Sequence, residues 1–161
     1  MMLIAAGPRA AAPPVLTVSG HHLASDGRPV FLLGVSLFDA LGRVPPRDED
    51  LDTLKAWGVR IVRVWAHWSE PIYGRDGALT PRGRTALASL ITRLGTRGMF
   101  LELVLLRPGQ LPGEKYAAFS SPGARVAAVR AIADALKDDR NVLFDLYNEH
   151  RVVGLLTREY H

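Results

Sequence analysis

Cysteine is absent from all 161 residues. Its absence excludes disulfides, thiolate metal sites and a cysteine nucleophile, and leaves the cellular compartment open. No apolar run is long enough to span a bilayer, so no membrane partner is expected. Lys and Arg number 20 against 16 Asp and Glu, a formal charge of +4, but they are scattered. There is no dense Lys/Arg block and no basic stretch interleaved with aromatics. That argues against nucleic acid and leaves a solvated arginine-rich surface. The glycine signatures of nucleotide sites are missing too: "GVSLFDALG", residues 34–42, carries neither GxGxxG nor a Walker pattern. His21, His22 and His150 do not fall at a ligand spacing such as HExxH, so neither a metal site nor a cofactor is expected.

What is present reads as one globular unit. Hydrophobic residues make up 48% and charged residues 22%, and this length can bury a real core. The opening stretch, 1–15, reads as a flexible N-terminus or a signal-peptide remnant: a short apolar run before Ala and Pro, without a basic n-region. On the second reading the protein is secreted or periplasmic. Residues 16–161 carry the folded unit.

Two β-type runs flank Asp26-Gly27, a good turn dipeptide, the second covering Phe31 to Ser36. "RDEDLDTLKAWG" reads as a helix with an acidic first turn, Leu51, Leu54 and Trp57 on its buried side, and Gly58 at its end. "VRIVRVW" follows as a β-branched strand. Thr80-Pro81 is an N-cap and first-turn pair for a second helix, whose stripe is Leu87, Leu90, Ile91 and Leu94. After Gly98 comes the strand "MFLELVLL". Ser121-Pro122 opens a third helix, with Val126, Val129, Ile132, Ala133 and Leu136 expected on one face, and "NVLFDLY" is the fourth strand. A hairpin followed by β-α-β-α-β-α-β, with near-continuous apolar strands, is the pattern of a parallel sheet covered by helices. The connections after the strands are long and hold the aromatic and polar residues, as in (β/α)8 barrels, where those loops build the active site.

These segments carry a resemblance. "LASDGRPVFLLGVS", "LKAWGVRIVRVWAHW", "LTPRGRTALASLITRLGTRGMFLELVLL" and "NVLFDLYNEH" resemble, in order and spacing, the N-terminal half of a clan A glycoside hydrolase, most like the cellulase family, glycoside hydrolase family 5. The resemblance covers nearly all of residues 16–150. It implies an α/β protein of (β/α)8 TIM-barrel type, with about four βα units present as a half-barrel after an N-terminal β-hairpin. It implies a carbohydrate partner and retaining hydrolysis of a β-linked polysaccharide or oligosaccharide.

Site residues follow by position in that resemblance. Glu149 corresponds to the general acid/base, and Asn148 to the amide contacting the sugar beside the cleaved bond. A departing sugar oxygen needs a proton as the bond breaks, and a carboxyl of raised pKa at a strand tip can supply it. Arg63 corresponds to the arginine that holds the nucleophile carboxylate ionised; pairing with Asp145 or reaching solvent is the plainer reading, and Arg60 is a weaker candidate for the role. In "WAHWSEPIYG", Trp68, then His67 and Tyr73, are candidate sugar contacts, because flat aromatic faces pack on pyranose rings; ordinary loop packing is the alternative. Trp57 is expected in the core. Two departures stand out. No His lies near the tip of the third strand, which reads "ELVLLRPG", and the family's nucleophile, a Glu after the seventh strand, has no counterpart here. A non-catalytic half-barrel that binds carbohydrate or self-associates is therefore the second expectation, since open sheet edges and an exposed apolar interior favour self-association.

Overall fold

The computed structural model describes residues 13–106 and 121–148. Most of the 1–15 segment, the loop between the third strand and third helix, and Glu149 with the residues after it lie outside that range.

A small antiparallel sheet comes first: β1 (Leu16–Ser19), β2 (His22–Ser25) and β3 (Arg28–Pro29). Asp26 and Gly27 sit at φ 50° and 75° between the paired Ser25 and Arg28, so the expected turn is a two-residue hairpin. The second run pairs less than its composition suggests. Only β4 (Gly34–Ser36) joins a sheet, and Phe31 is exposed. The hairpin meets the main body through the Leu16 N–H, which donates to the Arg140 carbonyl at 3.3 Å. It therefore lies at the N-terminal end of the main sheet.

That main sheet is parallel, in the order β4, β5 (Ile61–Trp65), β6 (Phe100–Leu106), β7 (Val142–Tyr147). Helices α1 (Asp48–Ala56), α2 (Pro81–Gly95) and α3 (Pro122–Leu136) connect successive strands. This is the expected half of a TIM-type barrel, with β4 and β7 as edges among the described residues. Side chains alternate across each strand. Val62, Val64, Leu101, Leu103 and Leu105 share one core with Leu87, Leu90, Ile91 and Leu94 of α2 and Leu51 of α1. Arg63 and Glu102, between them in sequence, take the opposite face.

Helix starts follow their caps. Thr80 accepts a hydrogen bond from the Gly83 N–H at 3.0 Å and Ser121 from the Ala124 N–H at 3.2 Å, each followed by a proline that needs no N–H partner. Gly58, at φ 86°, turns the chain out of α1 into β5.

Two helix faces differ from expectation. Trp57 is 72% exposed, not core. Six residues at ~100° each leave it about 120° around the helix from Leu51, which is fully buried. Arg93 of α2 and Arg97, just after it, hold Asp48 and Asp52 at 2.9 and 2.8 Å, in keeping with the rotation that leaves Leu51 inward. In α3 the buried ladder is Ala124, Ala128, Ile132 and Leu136, while Val126 is exposed. The small side wins because the loop after β5 presses on it: a Cβ on Gly77 would lie 2.0 Å from the Ala124 carbonyl oxygen.

Candidate active site

The charged residues of the main sheet share the face opposite its helix-side core, partway along their strands, and Asn148 follows the C-terminal end of β7. Register explains why. Ser36 pairs with Arg63, Arg63 with Glu102, and Val104 with Asp145. In a parallel sheet, paired residues share a face. Arg63, Glu102 and Asp145 therefore converge from three adjacent strands. The Arg63 Nε lies 3.0 Å from Glu102 Oε1, and its Nη2 is ion-paired with Asp145 Oδ2. The same Nη2 donates to Asn148 Oδ1 at 3.2 Å. The guanidinium also stands 4.8 Å from the centre of the Trp65 ring, a cation–π contact that a planar arginine makes well. An arginine on a mostly buried strand face calls for a carboxylate partner; here it has two, and the plainer expectation of an Arg63–Asp145 pair is what the fold brings together.

Two carboxylates facing one guanidinium leave an excess of negative charge. Burial pushes the Glu102 carboxyl above its ordinary range, the Arg63 guanidinium pulls it back, and Asp145 pushes it up again.

Beside this cluster is an aromatic surface. Phe38, in the loop after β4, stacks on Trp65 at 4.4 Å between ring centroids and tilts against Trp68 at 4.7 Å; Trp65 and Trp68 meet edge-on at 6.0 Å. Trp68 keeps 38% of its surface open and Phe38 46%. The two loops carrying these rings are braced together. The Asp39 carboxylate accepts from the Ser69 hydroxyl and from the Ser69 and Arg43 N–H groups. Glu70 pairs with Arg82, which also donates to the Gly42 carbonyl at 3.0 Å.

Of the residues singled out in the sequence, Arg63 and Asn148 are in contact, and Trp68 is at the rim. His67 is buried at the end of β5. Tyr73 does not form a ligand platform: it is 8% exposed, and its hydroxyl donates to the Leu105 carbonyl at 3.1 Å within the helix-side core. Arg60 sits earlier in the chain, its carbonyl accepting from the Phe100 N–H at 2.8 Å. Glu149 lies outside the described residues, directly after Asn148, whose N–H donates to the Leu106 carbonyl at 3.0 Å. Sequence reasoning missed Glu102, Trp65 and Phe38. A lone carboxylate inside the apolar run "MFLELVLL" was the available signal for the first, and the two-residue spacing from Arg63 for the second.

A parallel βα repeat with charged groups on its inner face and amide and aromatic groups at the strand C-termini defines a TIM-barrel-type protein. Comparison with known proteins gives the family. Residues 23–156 match the model described as cellulase (glycosyl hydrolase family 5), and the chain belongs to that family. No curated protein matches it. Among solved structures, the β-glucanase from Saccharophagus degradans is similar at 21% identity and a TM-score of 0.65, over 87% of this chain and 43% of that one. The β-1,4-D-mannanase from Cryptopygus antarcticus is similar at 20% identity and a TM-score of 0.62, over 84% and 44%. The chain thus spans less than half the length of these structures.

Proposed function

We propose that this chain is the acid/base half of a retaining glycoside hydrolase acting on a β-linked glucan or mannan. The observation that supports the reading is the contact of Arg63 with Asn148 at the tip of β7, beside the Phe38–Trp68 surface. Glu149 follows Asn148 in sequence and is the proton donor to the leaving sugar oxygen. Retaining hydrolysis needs a second carboxyl about 5–5.5 Å away as nucleophile; a Glu from a C-terminal half-barrel supplies it. Asn148 holds a sugar hydroxyl, and the exposed rings of Phe38 and Trp68 take the apolar face of a pyranose. The β-glucanase relative has been solved with cellotetraose, which makes that oligosaccharide the first probe.

The test joins the chain to a family C-terminal half carrying the strand-seven Glu. The assembled barrel should hydrolyse β-glucan or β-mannan. Glu149→Gln should abolish turnover of substrates with poor leaving groups while sparing glycosyl-enzyme formation from activated aryl glycosides, which need little protonation. Equal activity of Glu149→Gln on both substrate types would overturn the assignment.

A second reading, self-association of the half-barrel, is favoured by a different observation. Beside the edge strand β4 is a groove of about 500 Å³ lined by Leu37, Phe38, Val44, Leu54 and Trp57. At the other edge, Phe144 and Leu146 of β7 are exposed. Unpaired parallel strands with apolar flanks seek a partner, and light scattering of the chain alone reads it directly.

A further inference from the structure

The contacts of Arg63 determine more than charge balance. A guanidinium only donates hydrogen bonds, so the Asn148 oxygen, not its nitrogen, must face it. The amide then offers Nδ2 and its two hydrogens to a second partner. Whether Asn148 presents a donor or an acceptor thus depends on where Arg63 is held. Arg63 is held from three strands: by the Trp65 ring of its own β5, by charge attraction to Glu102 of β6, whose Oε1 lies 3.0 Å from Nε without accepting a hydrogen bond from it, and by Asp145 of β7 at the same Nη2 that reaches Asn148. A planar fork with several fixed N–H directions transmits that placement; a lysine ammonium, which rotates freely, does not.

We propose that Glu102, acting with Asp145, is a positioning residue that holds Arg63 so that Asn148 presents its NH2 group, a donor matched to a sugar hydroxyl oxygen, at the strand tips. Glu102 takes no part in bond cleavage. It acts through the guanidinium, and without it Arg63 is left with Asp145 and the Trp65 ring, neither of which fixes the rotation about Nε, and the amide is free to turn over. The inference rests on the sugar-site reading for the identity of the second partner, but the positioning itself does not need a sugar.

The chain has only two asparagines, Asn141 and Asn148, so 15N-asparagine labelling gives two side-chain amide pairs in an NMR spectrum. Asn141 is an internal control. It is buried at the far end of β7, donating to the Ile91 and Met99 carbonyls at 3.2 and 3.4 Å. In the full-length chain, Glu102→Met and Arg63→Lys should each move the Asn148 pair and collapse the separation of its two protons toward that of a solvated amide, leaving the Asn141 pair in place. If the role were charge balance alone, Arg63→Lys would preserve the Asn148 signature, and that result would overturn the proposal. Should a variant fail to fold, the Asn141 pair will collapse with it, and an acid titration of Glu149→Gln replaces it. The charged groups that face the amide among the described residues are then Arg63, Glu102 and Asp145. The Asn148 pair should move as the Glu102 carboxyl, held above the ordinary carboxylate range by burial, takes up its proton on acidification, while Asn141 stays fixed; a static Asn148 pair would equally sink the idea. Cellotetraose is added last. If the amide signature is as expected but does not respond to the sugar, the positioning stands and the sugar-site reading falls.

Discussion

The two faces of the four-stranded sheet are made by alternate residues of the same strands, yet they are built for different ends. Toward the helices lie Val62, Val64, Leu101, Leu103 and Leu105, each no more than 1% exposed and wholly apolar. Toward the other side lie Arg63, Trp65 and Glu102, each one position away, and Asp145 of β7. One face is apolar throughout; the other sets charges that cost desolvation, and that are kept in place by one another, among buried Phe100, Val104 and Leu106. The contrast has a limit in space as well. Over β5 and β6 the outer face is covered, but at β7 it is not: Val142 packs on the core, whereas Phe144 and Leu146, on the same face, are 36% and 59% exposed.

Substitutions can press on this comparison, beginning with the covered face. Leu103→Ala removes a fully buried side chain and should cost about 2–5 kcal/mol, read as a lowered denaturation midpoint with an unchanged slope. On the inner face, Arg63→Met leaves Glu102 and Asp145 facing each other without their cation. The cluster is about a quarter exposed, so the expected loss is about 1–3 kcal/mol, below the 3–5 typical of a fully buried pair. A loss equal to that of Leu103→Ala would erase the distinction between the faces. Thr80→Ala, which removes the Gly83 cap of α2, should cost about 1 kcal/mol by the same measurement.

The inner face should also announce itself in pH dependence. Because the folded-state pKa of Glu102 is raised, the native state binds its proton more tightly than the unfolded chain. That contribution to stability is present below the unfolded value and is lost as pH rises through the folded one. Stability curves of the native protein and of Glu102→Gln should therefore diverge above about pH 4.3, the native protein falling relative to the variant. Parallel curves would show that Glu102 titrates as it does in the unfolded chain. The smallest effect is expected at Trp57→Glu, on the open side of α1. Stability should change by no more than about 0.5 kcal/mol, but light scattering should show a smaller associated fraction if that groove is where copies meet.

How much could be read beforehand depended on the range of the forces involved. The α2 stripe, its Thr80-Pro81 start and the Asp26-Gly27 turn are local arrangements, set by spacing of three or four residues and by backbone preferences, and they stand where the pattern put them. Trp57 and Val126 were misplaced because a periodic stripe shows that a helix has an apolar side but not which edge of it meets a neighbour. Here the close approach of Gly77 to α3 made that choice for Val126, and ion pairs to Arg93 and Arg97 accompany it for Trp57. Tyr73 lay in an aromatic loop that could have faced either way, and a single carbonyl, that of Leu105, took its hydroxyl inward.

The sequence by itself determined the alternation of strands and helices, the parallel sheet, and the meeting of Arg63 with a carboxylate, because apolar periodicity, caps and the cost of an unpaired charge are written in neighbouring residues. Only the tertiary structure decided that Glu102 shares Arg63 with Asp145, that the guanidinium turns the amide of Asn148, and that Phe38 completes the surface of Trp65 and Trp68. These partners are separated by tens of residues along the chain and are joined by strand register and by the bracing of the loops that follow the strands. A shift of one position in that register would send Arg63, Glu102 or Asp145 to the other face of the sheet.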